Sequence, residues 1–78
     1  MYVIYGKAQC SQCDAAKRFL QARDLDFKYL EFGTDYTIDE LFSLPGASRE
    51  MPQVFQCNAT GELSHIGSTK ELIKHVDQ

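Results

Sequence analysis

Two thiols stand three positions apart in Cys10-Ser11-Gln12-Cys13. This spacing suits reversible disulfide chemistry, in which a thiolate attacks and a second sulfur, one helical turn further on, closes back onto the first. The first sulfur needs a setting that favours an anion, and a helix N-terminus supplies one through its unpaired N–H groups and its dipole. The cysteines follow the β-rich run Tyr2-Val3-Ile4-Tyr5 and open a helical pattern. A strand is therefore expected to deliver Cys10 to the surface, with the helix starting beside it. Lys7, in the same connecting loop, adds a positive charge, and Cys13 is expected to be the less exposed, resolving thiol.

A bridge between these cysteines closes a very small loop and restrains the unfolded chain little, which makes it a poor staple. The sequence has three cysteines and no basic opening segment followed by a long apolar stretch. Both features point to a reducing compartment, and the expected location is the cytoplasm.

At 78 residues, 44% hydrophobic and 24% charged, the chain is expected to form one small folded domain, residues 1–78. No apolar run approaches the ~20 residues of a membrane span, so no membrane partner is expected. The net charge of −3 argues against a nucleic-acid surface, which needs a clustered basic face. Lys7, Lys17, Arg18 and Arg49 flank the segments of interest, and Lys17 and Arg18 read as solvated surface charge.

The elements that must position the thiols follow from pattern. Tyr2 to Tyr5 reads as a buried strand ending at Gly6. From Ser11 to about Arg23 the pattern is helical, with Ala15, Ala16, Phe19 and Leu20 on one face and Lys17, Arg18 and Gln21 on the other. Asp24 ends this helix, and Phe27 to Phe32 reads as a strand with imperfect alternation. Thr37, with Glu40 three residues on, forms a capping box for a short helix through Leu44, stopped by Pro45-Gly46. Gln53 to Gln56 and Glu62 to Ile66 form a hairpin around Asn58-Ala59-Thr60-Gly61. Gly67-Ser68 reads as a tight turn, and Ser68 or Thr69 caps a last helix through Leu72, Ile73 and Val76. The order is βαβ, helix, β-hairpin, helix, with the first two strands parallel through a right-handed crossover. The expected class is α/β, a four-stranded mixed sheet with helices on both faces.

This chain resembles the glutaredoxins, on a minimal thioredoxin fold, along essentially its full length. The residues that carry the likeness are Lys7, Cys10-x-x-Cys13, Arg49-x-Met51-Pro52-Gln53-Val54-Phe55 and His65-Ile66-Gly67. By size it is most similar to the small dithiol glutaredoxins of bacteria and their phages. The resemblance implies a thiol-disulfide oxidoreductase that uses glutathione as co-substrate, with no permanently bound cofactor and no metal. It implies Cys10 and Cys13 as the catalytic pair. It also implies a glutathione groove formed by Lys7, Gln12, Arg49, Met51, Pro52, Gly67, Lys70 and Glu71. Pro52 would be cis and face the thiols, with the Met51 backbone offered to glutathione strand-fashion. The backbone amides of Gly67-Ser68-Thr69-Lys70-Glu71 would hold the γ-glutamyl carboxylate, and Arg49 and Lys7 the glycine carboxylate. Disulfide-containing client proteins are the expected partners, with ribonucleotide reductase as one by analogy, and a monomer is the expected state.

Three positions depart from the family pattern. Ser68 stands for a second glycine, Glu71 for aspartate, and Glu50 for the threonine common before the Met-Pro pair. Ser11-Gln12 also replaces the more usual Pro-Tyr. Gln12 is similar to the residue in glutaredoxin-like reductants of ribonucleotide reductase recharged by thioredoxin reductase, which is one alternative reading. Ser11 leaves room for a second, a [2Fe–2S] cluster held between two subunits with glutathione. A zinc site from Cys10, Cys13, Cys57 and His65 or His75 is a third. His65 and His75 read more simply as solvent-facing, and Cys57 as a small half-buried residue.

Overall fold

The computed structural model describes residues 1–77, and residue 78 of the expected domain lies outside them. The elements are β1 (Tyr2–Gly6), α1 (Ser11–Ala22), β2 (Phe27–Glu31), α2 (Ile38–Phe42), β3 (Gln53–Cys57), β4 (Leu63–Gly67) and α3 (Thr69–Asp77). The four strands form one mixed sheet in the order β2-β1-β3-β4. β1 runs parallel to β2 and antiparallel to β3, and β3 pairs antiparallel with β4. This is the four-stranded mixed α/β sheet expected from the pattern, in the thioredoxin-type arrangement that the resemblance implies.

Alternation along the central strands divides the interior in two. Ile4 and Val54 point to one face, where they are fully buried against Ala16 and Leu20 of α1 and Leu72 of α3. Their neighbours Tyr5 and Phe55 point to the other, where Phe55 packs with Leu41 of α2 and with Tyr36 from the loop before it. Each fully buried aliphatic or aromatic side chain contributes about 1.5–3 kcal/mol, so both clusters are needed in a chain this small. The imperfect alternation of β2 has the same origin. Phe27 and Tyr29 lean on the first cluster and Leu30 on the second, at the edge of a sheet covered on both sides.

Helix ends follow local chemistry. α1 stops where Asp24 turns left-handed (φ 58°), with the Leu25 N–H donating to the Leu20 carbonyl at 3.0 Å. The Thr37–Glu40 capping box forms in both directions, at 3.2 and 3.0 Å. α2 ends at Phe42, two residues earlier than expected, because Pro45 disfavours helical backbone at Leu44. β2 ends at Glu31, one residue early. The Thr34 and Asp35 amides turn back onto the Glu31 carbonyl, and Phe32 makes an isolated bridge with Tyr36. β4 begins at Leu63, since the Glu62 N–H is taken by Asn58 Oδ1 at 2.9 Å in the hairpin loop. It runs on to include Gly67, expected in a turn but paired with Val54.

Candidate active site

Strand register brings the separated motifs to one end of the sheet. β1 leaves the sheet at Gly6 and leads to Cys10, and its neighbour Tyr5 pairs with Gln53, the residue after Pro52. Val54 pairs in turn with Gly67, so β4 exits at the same end. The loops that carry Lys7–Cys10, Arg49–Pro52 and Gly67–Glu71 therefore converge, although up to about sixty positions separate them along the chain.

Cys10 occupies the N-cap position of α1 (φ −122°, ψ 106°), and its Sγ accepts the Cys13 backbone N–H at 3.2 Å. The sulfur thus takes the place that a serine or aspartate oxygen fills at an ordinary helix start. A donor aimed at this atom favours its anionic form, as does the helix dipole. Cys10 is partly exposed, whereas Cys13 is fully buried on the core face of α1. The two are joined as a disulfide, their Cα atoms 5.2 Å apart. Gln9, just before them, adopts left-handed backbone (φ 54°) that turns the chain into the helix.

The loop before Cys10 is tied down from β2. Tyr29 donates its hydroxyl to the Lys7 carbonyl at 3.1 Å. Its ring lies where a Gly6 side chain would be, and a Cβ there would approach Tyr29 Cε1 to 2.8 Å. That close approach is why β1 ends on glycine. Lys17 sits over the Tyr29 ring, 4.2 Å from its centroid, and 3.4 Å from Asp14. The surface charge at Lys17 thus also braces this support.

The Met51–Pro52 peptide bond is cis. Just after it, the buried Gln53 side chain holds the approach segment. Its Nε2 donates to the Glu50 carbonyl at 2.7 Å, and its Oε1 accepts the Ser48 N–H at 3.3 Å. His65 Nε2 lies 2.7 Å from the same Oε1, and its ring meets Phe55 edge-on. Although exposed, His65 therefore connects β4 to this loop. Met51 is half-buried against the Tyr36–Leu41–Phe55 cluster.

At α3, the expected cap has a different form. The Glu71 carboxylate reaches back, and its Oε1 accepts both the Ser68 N–H at 2.9 Å and the Ser68 hydroxyl at 2.5 Å. These bonds hold the Glu71 carboxyl below the usual carboxylate range. Gly67 has φ 131°, and a Cβ there would come within 2.8 Å of Glu71 Cβ. Thr69 is buried and donates its hydroxyl to the carbonyl of Gln12, the residue before Cys13, at 2.7 Å.

Of the predicted site residues, Lys7, Cys10, Arg49, Met51, Pro52, Gly67, Lys70 and Glu71 thus lie on the three converging segments, and Gln12 is tied to them through its carbonyl. The Gln12 side chain is exposed, as are Lys7, Arg49 and Lys70. Among the described residues the ion pairs are Lys17–Asp14 and Arg23–Asp77, which leaves those three cations outside them. No three His, Cys, Asp or Glu side chains are grouped as metal ligands among the described residues, so the alternative zinc set is not brought together. Tyr29, Thr69 and the bonding of Gln53 were not legible as site features. Glycine at the end of β1 beside an aromatic strand was the one signal pointing to Tyr29, and nothing local marked the others.

A thiol at a helix start, a second one turn inside, and a cis-proline loop beside them on this sheet define a thioredoxin-fold thiol-disulfide oxidoreductase. A family model described as Glutaredoxin matches residues 2–59, and the chain belongs to the glutaredoxin family. Compared by sequence with curated proteins, it finds no match. Among solved structures it is similar to reduced Escherichia coli glutaredoxin, with a TM-score of 0.75 and 24% identity over 97% of this chain and 92% of that one. It is also similar to glutaredoxin 1 from Francisella tularensis complexed with cacodylate, with a TM-score of 0.70 and 22% identity over 97% and 91%. A third likeness is to a buckwheat glutaredoxin–glutathione complex, with a TM-score of 0.68 and 25% identity over 97% and 68%.

Proposed function

We propose that this glutaredoxin is glutathione-dependent, reducing protein disulfides and glutathione mixed disulfides through Cys10 and Cys13. The observation that carries the reading is the Cys13 N–H directed at the partly exposed Cys10 sulfur, with Cys13 itself buried. Cys10 thiolate attacks the glutathione sulfur of a mixed disulfide, forms Cys10–S–S–glutathione and expels the client thiolate. A second glutathione thiolate then attacks that sulfur, leaving as oxidised glutathione and restoring Cys10. With a protein disulfide, Cys13 attacks the Cys10 sulfur of the mixed intermediate and releases the reduced client. The resulting Cys10–Cys13 disulfide is reduced by two glutathiones.

Likeness to the buckwheat glutathione complex supports glutathione as the co-substrate. The Met51 backbone docks its cysteinyl part strand-fashion. Lys7 and Arg49, exposed and outside the ion pairs of the described residues, take the glycine carboxylate. Amides at the start of α3, with Lys70, take the γ-glutamyl carboxylate, and Glu71 swings off Ser68 to meet the γ-glutamyl amine. We place the activity in a reducing, cytoplasmic setting, carried by a monomer acting on disulfide-bearing clients.

A coupled assay with one electron source at a time tests this. Glutathione with its reductase should sustain turnover, and thioredoxin reductase alone should not. The reverse result would assign the chain to the branch suggested by Gln12. A visible absorption band in a dimer, after anaerobic reconstitution with iron, sulfide and glutathione, would favour cluster carriage instead.

A further inference from the structure

Tyr36 precedes the Thr37 cap, in the loop between β2 and α2, and is only 5% exposed. Its ring is fixed edge-on by Tyr5, at 5.0 Å between centroids, and by Phe32, at 5.8 Å. Its hydroxyl donates to the Gly6 carbonyl at 2.8 Å and lies 3.5 Å from Met51 Sδ. One atom thus touches both the start of the loop that carries Cys10 and the residue before the cis-proline. The Gly6 carbonyl already accepts the Phe32 N–H at 2.8 Å, so it stays paired if the hydroxyl is removed. What the hydroxyl adds is the link between the two loops. Burial, followed by the neighbouring Tyr29 and Tyr5, pushes this phenol up to about 12, so it remains a donor at any working pH.

We propose that the Tyr36 hydroxyl is a positioning group that fixes the Met51–Pro52 segment relative to the Cys10 loop, keeping a docked disulfide in line with the attacking sulfur. The inference rests on Met51 as the docking backbone for glutathione. Small misplacements of bound reactants lower rates steeply, up to about 100-fold for an ångström. A reagent that does not dock should be indifferent to the link.

Reduced wild type and Tyr36→Phe are compared in single-turnover reactions. The substrates are a glutathionylated peptide, the same peptide bearing a hydroxyethyl mixed disulfide, and iodoacetamide. Phenylalanine keeps the ring and its edge contacts, so the fold is preserved. The variant should react about tenfold more slowly with the glutathionylated peptide, with its rates toward the other two unchanged. All three rates unchanged, or all three lowered together, would overturn the inference. A wild type that does not prefer the glutathionylated peptide would overturn the docking reading, and this inference with it. A preference present in wild type and kept in the variant overturns the inference alone.

Discussion

The starts of α1 and α3 lie at the same end of the sheet and present the same backbone chemistry, yet they are closed differently. At α1 the capping atom is the Cys10 sulfur, which accepts the Cys13 N–H. At α3 the Glu71 carboxylate accepts the Ser68 N–H. Both arrangements satisfy a donor that an α-helix leaves unpaired at its first turn. In one, the satisfied group is the reacting atom. In the other, a side chain with no redox chemistry occupies a donor that a ligand carboxylate could use. Thr69 joins the two, because α3 begins with a side chain that donates to Gln12 inside α1. Capping chemistry therefore decides whether a helix start is reactive or structural, and the identity of one side chain sets the outcome.

Changing the atom at the reactive start should have the largest effect. Cys10→Ser keeps a cap oxygen and hence the helix, but removes the nucleophile. No turnover should remain with either mixed or protein disulfides, while the urea midpoint stays near that of the reduced wild type. Cys13→Ser leaves the reactive cap in place. It should keep deglutathionylation, measured with a glutathionylated peptide, and lose the dithiol reduction of protein disulfides. Loss of both activities would mean that the two sulfurs have been assigned the wrong roles.

Thr69→Val breaks the tie between the helix starts without changing side-chain shape. Losing this hydrogen bond should lower stability by about 1 kcal/mol, read from urea unfolding. Amide hydrogen exchange should rise in both first turns. A rise confined to α3 would show that the helices are not coupled through this contact.

The smallest expected effect is at Glu71. Its carboxyl is held below the ordinary range, so it contributes stability that is present above the unfolded value and lost as pH falls through the folded one. Between about pH 6 and pH 3 the wild type should therefore lose slightly more stability than Glu71→Gln. Equal losses in thermal melts would show that the Ser68–Glu71 bonds do not stabilise the folded chain.

The difference between the two helix starts was only half visible in the sequence. Cys10 could be placed at a helix N-terminus because β-forming residues end at Gly6 and an amphipathic pattern begins at Ser11. The element order and the convergence of three loops were legible for the same reason, since strand and helix periods differ and fix which elements can pair. The family likeness implies the cis-proline, against the general trans preference of X-Pro bonds. Contacts between distant positions were not legible. Thr69 and Gln12 are 57 residues apart, and Tyr36 reaches Gly6 across 30. Such bonds depend on how loops settle once the sheet has formed, and no local pattern encodes them. Ser68 and Glu71 stand out in the sequence as departures from the family pattern, but their mutual hydrogen bonds depend on the geometry of the first turn.

The central claim is that the α1 start makes Cys10, and neither Cys13 nor Cys57, the attacking sulfur. Limited alkylation of the reduced protein with iodoacetamide near neutral pH, followed by peptide mass mapping, tests it directly. Cys10 should be labelled first, ahead of the buried Cys13 and the half-buried Cys57. Labelling of Cys57 at the same rate, or of Cys13 before Cys10, would contradict the account.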